Sequence, residues 1–173
     1  MNLFTKQKTS FLLIISLLFG LELLGQTITD VVLFANKQFE EQNYSIASKE
    51  YNRAFFFGYE QQDFLSLQIA NCYLKLNDLE QAALFYDKAY RLSKNDSLKN
   101  EALLGNAFCM LVQEKYILAL SELLNLSENS NQQQLIHYHF LKGIAHYGLG
   151  EDSISYFEFK ETLALSGLSS EAT

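Results

Sequence analysis

The side chains that could do chemistry are few and poorly spaced for it. The histidines are His137, His139 and His146. A helix through them sets His139 and His146 seven residues apart, about 10 Å along the axis. That is too far for two nitrogens on one zinc at about 2 Å. His137 and His139 fall on different helix faces, so all three read as surface or groove residues. Glu40 and Glu41 diverge on a helix and read as a solvated end, not an acid–base pair. Cys72 and Cys109 are too few for a disulfide framework or a structural zinc site. They read as small packed hydrophobes, since a bond between them would need Cα atoms within about 7 Å. The sequence contains no GxSxG, HExxH, CxxC or P-loop pattern. The expectation is a non-enzyme with no catalytic residues, no metal and no cofactor.

Composition narrows the class. The 173 residues are 49% apolar and 19% charged, an ordinary globular balance. Proline is absent and glycine numbers only 8, which favours helices over a turn-rich β fold. The net charge of −7 argues against a nucleic-acid partner, because phosphate neutralisation needs a basic surface.

The N-terminal stretch stands apart. Lys6 and Lys8 precede an apolar run, FLLIISLLFGL, over 11–21. That run is too short to span a bilayer, which takes about 20 residues, and fits a secretory signal peptide. Cleavage after Gly25 would begin the mature chain at Gln26. Loss of Lys6, Lys8 and Glu22 would take the net charge from −7 to −8. The expected location is therefore periplasmic or secreted, the alternative being an uncleaved N-terminal anchor.

Internal repetition sets the elements that hold everything else. Four position classes recur: Ala35, Ala70, Ala107, Gly143; Ala47, Ala82, Ala119, Ser155; Tyr51, Tyr86, Leu123, Phe159; and Ala54, Ala89, Leu126, Thr162. Every class steps by 35, then 37, then 36. Between the markers the apolar spacing reads helix, turn, helix. The turns fall at Gln42-Asn43, Asn77-Asp78, Glu114-Lys115 and Gly150-Glu151. Small residues let two antiparallel helices cross closely. One hairpin cannot bury its apolar faces alone, so copies must stack. The predicted fold is an all-α superhelix, a solenoid of about four antiparallel hairpins. The Phe55-Phe56-Phe57 run points in three directions, so two rings should pack and one should stay exposed.

The run QIANCYLKLNDLEQAALFYDKAYRL (68–92) and, less closely, KGIAHYGLGEDSISYFEFKETL (142–163) resemble the tetratricopeptide repeat family. The resemblance places repeats at 28–61, 63–96, 100–133 and 136–169, within one domain over 26–173. Repeat three departs from the pattern at Leu123 and Leu126, and the family's junction proline is absent throughout.

The resemblance implies a concave groove lined by the first helix of each hairpin, holding an extended peptide or helix. It puts Thr29, Val32, Leu33, Asn36 and Phe39 there in repeat one, and Phe64, Leu67, Gln68, Asn71 and Leu74 in repeat two. Repeat three contributes Glu101, Leu104, Gly105, Phe108 and Leu111; repeat four contributes His137, Phe140, Leu141, Ile144 and Tyr147. The Lys/Arg clamp that some members use for a terminal carboxylate is missing, since Val32, Glu101 and Gly105 stand in its places. Asn36 and Asn71 could pair with a peptide backbone or merely hold local contacts. The strip Leu104, Phe108, Leu111, Phe140, Ile144 and Tyr147 is either groove or core between repeats three and four. The function implied is a non-catalytic interaction module or scaffold for another protein or peptide. The alternative is a subunit of a larger envelope assembly, self-associating through an uncapped last repeat. Peripheral membrane association stays open.

Overall fold

The structure is a computed structural model, and it describes residues 27–167. The expected signal peptide, 1–25, lies outside them. The described residues form eight helices and no strand. They are α1 (Ile28–Glu40), α2 (Tyr44–Phe56), α3 (Gln62–Lys75), α4 (Leu79–Leu92), α5 (Asp96–Val112), α6 (Tyr116–Leu123), α7 (Gln132–Gly148) and α8 (Asp152–Ser166). Each packs on the next in chain order, and α5 also lies beside both α3 and α7. This is an all-α arrangement of stacked hairpins.

The small-residue markers hold the hairpins shut. Ala35, Ala47, Ala70, Ala82, Ala107 and Ala119 are fully buried, and Gly143 and Ser155 are buried as well. In the last hairpin Ser155 Oγ donates to the Gly143 carbonyl at 2.9 Å. Each of three cores joins a hairpin to the first helix of the next. Val31, Ala35, Tyr51, Leu65 and Ile69 unite α1, α2 and α3. Leu67, Ala82, Tyr86 and Ala102 unite α3, α4 and α5. Leu103, Leu111, Leu123 and Leu141 unite α5, α6 and α7. Burial of apolar surface therefore runs along the stack as well as within each hairpin.

The four turns share one geometry. Gln42, Asn77, Glu114 and Gly150 take φ of 63°, 60°, 58° and 76°. The next residue then donates its N–H back over the helix end. These bonds are Asn43 to Gln38, Asp78 to Tyr73, Lys115 to Met110 and Glu151 to His146, at 2.8–2.9 Å. Such left-handed closure satisfies carbonyls that the helix end leaves bare.

Two expectations are corrected. The repeat register extends the second helix of repeat three through Leu126, but α6 stops at Leu123. Asn100 is the reason: its Oδ1 accepts the Ser127 N–H at 3.1 Å, and its Nδ2 donates to Ser130 Oγ at 3.0 Å. That buried amide pulls 127–130 into a loop, leaving Leu126 half-buried against the core. In the phenylalanine run only Phe55 packs inward, with Lys88 Nζ 3.7 Å above its ring. Phe56 and Phe57 are both exposed, because α2 ends at Phe56 and, among the described residues, no element lies over them.

Candidate functional site

Where α3, α5 and α7 lie side by side they floor a groove of about 590 Å³. Its wall is Asn71 and Leu74 of α3, Tyr86 of α4, five residues of α5 and, at α7, residues from Asn131 to Leu141. Glu101, Leu104, Gly105 and Phe108 fall on one face of α5 by helical spacing. His137, Phe140 and Leu141 do the same on α7.

The helices are seated by polar caps. Asn95 Oδ1 accepts the Leu98 N–H at the start of α5. Asn131 and Gln134 cap α7 reciprocally, each side chain taking the other's backbone N–H. Gln134 Nε2 also donates to the Ser97 carbonyl at 2.8 Å, tying α7 to α5.

Tyr86 is buried in the groove wall. Its hydroxyl donates to Asn71 Oδ1 at 2.6 Å. Burial pushes the phenol well above its ordinary value, so it stays a donor. Its ring lies so close to α5 that a Cβ on Gly105 would sit 2.4 Å from it. Tyr51 holds Asn36 in the same way at 2.7 Å. The acceptor half of both asparagines is thus taken within their own hairpins. What remains for a ligand is the amide N–H pair.

The electrostatics of the groove are simple. Among the described residues Glu101 is its one formally charged lining residue. The protein around it displaces water and raises its carboxyl, an effect that His137 partly offsets. Gln133 Nε2 lies 3.0 Å from His137 Nε2. The other histidines lie outside the lining: His139 Nδ1 meets Glu158 at 2.7 Å and His146 Nδ1 meets Glu151 at 2.5 Å. Burial pushes the Cys72 and Cys109 thiols up to about 12 and about 11. Both are free, and both are inert as nucleophiles at neutral pH. Among the described residues no three His, Cys, Asp or Glu come together at metal-holding distance.

The nine residues proposed for binding divide. Asn71, Phe108 and Phe140 line the groove, and Leu104 borders it while buried in the core of α5, α6 and α7. Leu111 and Ile144 pack in the core of α5, α6 and α7, because α5 and α7 turn those faces toward each other. Tyr147 is exposed but lies outside the groove. Asn36 and Phe39 also lie outside it. Phe39 is half-buried, edge-on to Tyr44 with centroids 5.3 Å apart. Sequence reasoning missed Tyr86, Ser97, Asn131, Gln133 and Gln134 in the lining. The Asn131-x-x-Gln134 capping box was the available signal for the last group. Comparison with protein-family models finds none that matches this chain, and no curated protein matches it.

Proposed function

We propose that the chain is a non-catalytic interaction module of tetratricopeptide type, exported to the cell envelope, that holds a peptide or helix of another protein in its concave groove. The observation that carries this is the pair Phe108 and Phe140, 37% and 45% exposed in the same groove. Aromatic side chains left open in a concavity supply much of the binding energy at such surfaces. The 35-, 37- and 36-residue steps and the shared left-handed turns support the family assignment. The apolar run at 11–21 supports export.

The test is capture from an envelope fraction by the protein and by its Phe108→Ser and Phe140→Ser variants. The variants should melt within about 3 °C of the parent and lose the captured partner. Unchanged capture by both well-folded variants overturns the groove as the binding site.

A second reading rests on α8. Tyr156, Phe157 and Leu163 are exposed there, and Tyr156 and Leu163 share a helix face. Such a face can be covered by another copy of the chain. Light scattering across a hundredfold concentration range tests this, and a constant monomer mass overturns it.

A further inference from the structure

The groove is not uniform along its length, and its two ends differ in chemistry. Glu101 and His137 sit at one end, near the starts of α5 and α7. Leu104, Phe108 and Phe140 form the other. Glu101 and Phe108 are seven residues apart on one face of α5, about 10 Å along the axis.

The polar groups at the Glu101 end are mostly committed. Gln134 bonds to Ser97 across the α5–α7 junction and to Asn131 at the start of α7. Asn71 has given its carbonyl to Tyr86. The caps Asn95 and Asn131 take N–H groups at the starts of α5 and α7, which blunts the attraction of those ends for an anion. Glu101 is different: among the described residues it has no ion pair and no hydrogen bond, only the longer-range influence of His137. Its side chain is exposed in the groove, and a groove carboxylate left without a cation favours an occupant that brings one.

Resting on the groove reading above, we infer that the groove selects a protein segment in which a Lys or Arg side chain lies within one groove length of a large apolar side chain. The cation pairs with Glu101 while the apolar side chain seats between Phe108 and Phe140. In an extended segment the 10 Å spacing corresponds to about three residues. The Asn71 amide N–H pair is placed to donate to a backbone carbonyl of that segment. This specificity is opposite in sign to a clamp for a terminal carboxylate.

The experiment is selection of binders from a displayed library of random dodecapeptides against the parent protein, Glu101→Gln and Phe108→Ser. The parent should enrich peptides with Lys or Arg close to Leu or Phe. Glu101→Gln should lose the basic preference and keep the apolar one. The best peptide, synthesised with blocked ends, should bind Glu101→Gln about tenfold or more weakly. Replacing its basic residue by Gln should cost the same, and the two changes together little more. Enriched peptides that lack a basic residue, or an unchanged basic preference in Glu101→Gln, overturn the charge inference and leave the groove reading intact. Failure to enrich any peptide, or enrichment that Phe108→Ser leaves unchanged while it stays folded, overturns both.

Discussion

Gly105→Ala should destabilise the protein, against the usual trend. In a helix interior, alanine in place of glycine normally gains about 0.8–1 kcal/mol. Here the new Cβ would meet the Tyr86 ring at 2.4, 2.5 and 2.9 Å, distances that packed carbons do not sustain. The ring cannot retreat freely, because Tyr86 is almost fully buried and its hydroxyl is fixed on Asn71. Overpacking of this kind costs about 1–3 kcal/mol, and stretching the hydrogen bond adds about 1 kcal/mol. Set against the helix gain, the net loss is about 2 kcal/mol, or roughly 4–8 °C in melting temperature for a chain of this size. Circular dichroism melts of Gly105→Ala should show that drop. The same change in a Tyr86→Leu background should be neutral or stabilising, since the clash is gone. A higher melting temperature for Gly105→Ala alone, or an equal cost in both backgrounds, would refute the packing argument.

Gln42→Gly and Glu114→Gly should each raise the stability measured in urea melts by about 0.5–1 kcal/mol, because φ near 60° strains any side chain but suits glycine. Gly150→Ala should lose a similar amount. Asn100→Leu should cost about 1–3 kcal/mol in urea melts, since it strands the Ser127 N–H and removes one of the partners of Ser130. Glu158 carries a pH prediction. Burial pushes its carboxyl up, but hydrogen bonds and charge from Lys142, 2.5 Å away, and from His139 outweigh that and hold it below its ordinary 4.5. A depressed carboxyl stabilises the fold above the ordinary value and stops doing so as pH falls through the folded one. Melts between pH 6 and pH 3 should therefore show an acid-side loss in the parent that Glu158→Gln lacks.

The repeat was legible because its signals are local. A small residue at a helix crossing and a left-handed residue after a helix end are each dictated by contacts within one hairpin. Ala35, Ala70, Ala107 and Gly143 could thus be aligned from the chain alone, and the turns at 42, 77, 114 and 150 with them. The border between groove and core was not legible in the same way. Leu104 and Leu111 lie on one α5 face by spacing and both are buried in the same core, yet Leu104 also borders the groove and Leu111 does not. What separates them is how α5 sits against α7 along its length, which no spacing within α5 encodes. The loop after Leu123 was hidden for a related reason. Asn100 shapes it from 27 residues away, and a lone asparagine within an apolar pattern gives no sign of such a partner. Phe56 and Phe57 show the converse error. Size alone suggested that one of them would pack, but α2 ends before anything can cover them.

The groove's change of character has a structural origin inside the hairpins. In the first two, residues fifteen apart face each other from the first helix to the second, Asn36 with Tyr51 and Asn71 with Tyr86; the same positions in the last two carry Phe108 and Leu123, Ile144 and Phe159. The first two pairs are hydrogen-bonded; the last two are wholly apolar. A mixed pair would bury an amide or a phenol without a partner, at about 1–3 kcal/mol. Both members must therefore switch together, and here they have. The switch falls between hairpins two and three, within the groove. It exchanges an amide that offers N–H donors for the half-exposed ring of Phe108. A constraint that belongs to hairpin stability thereby sets which stretch of the groove offers hydrogen bonds and which offers apolar surface, and it leaves Glu101 beside that change as the one formal charge.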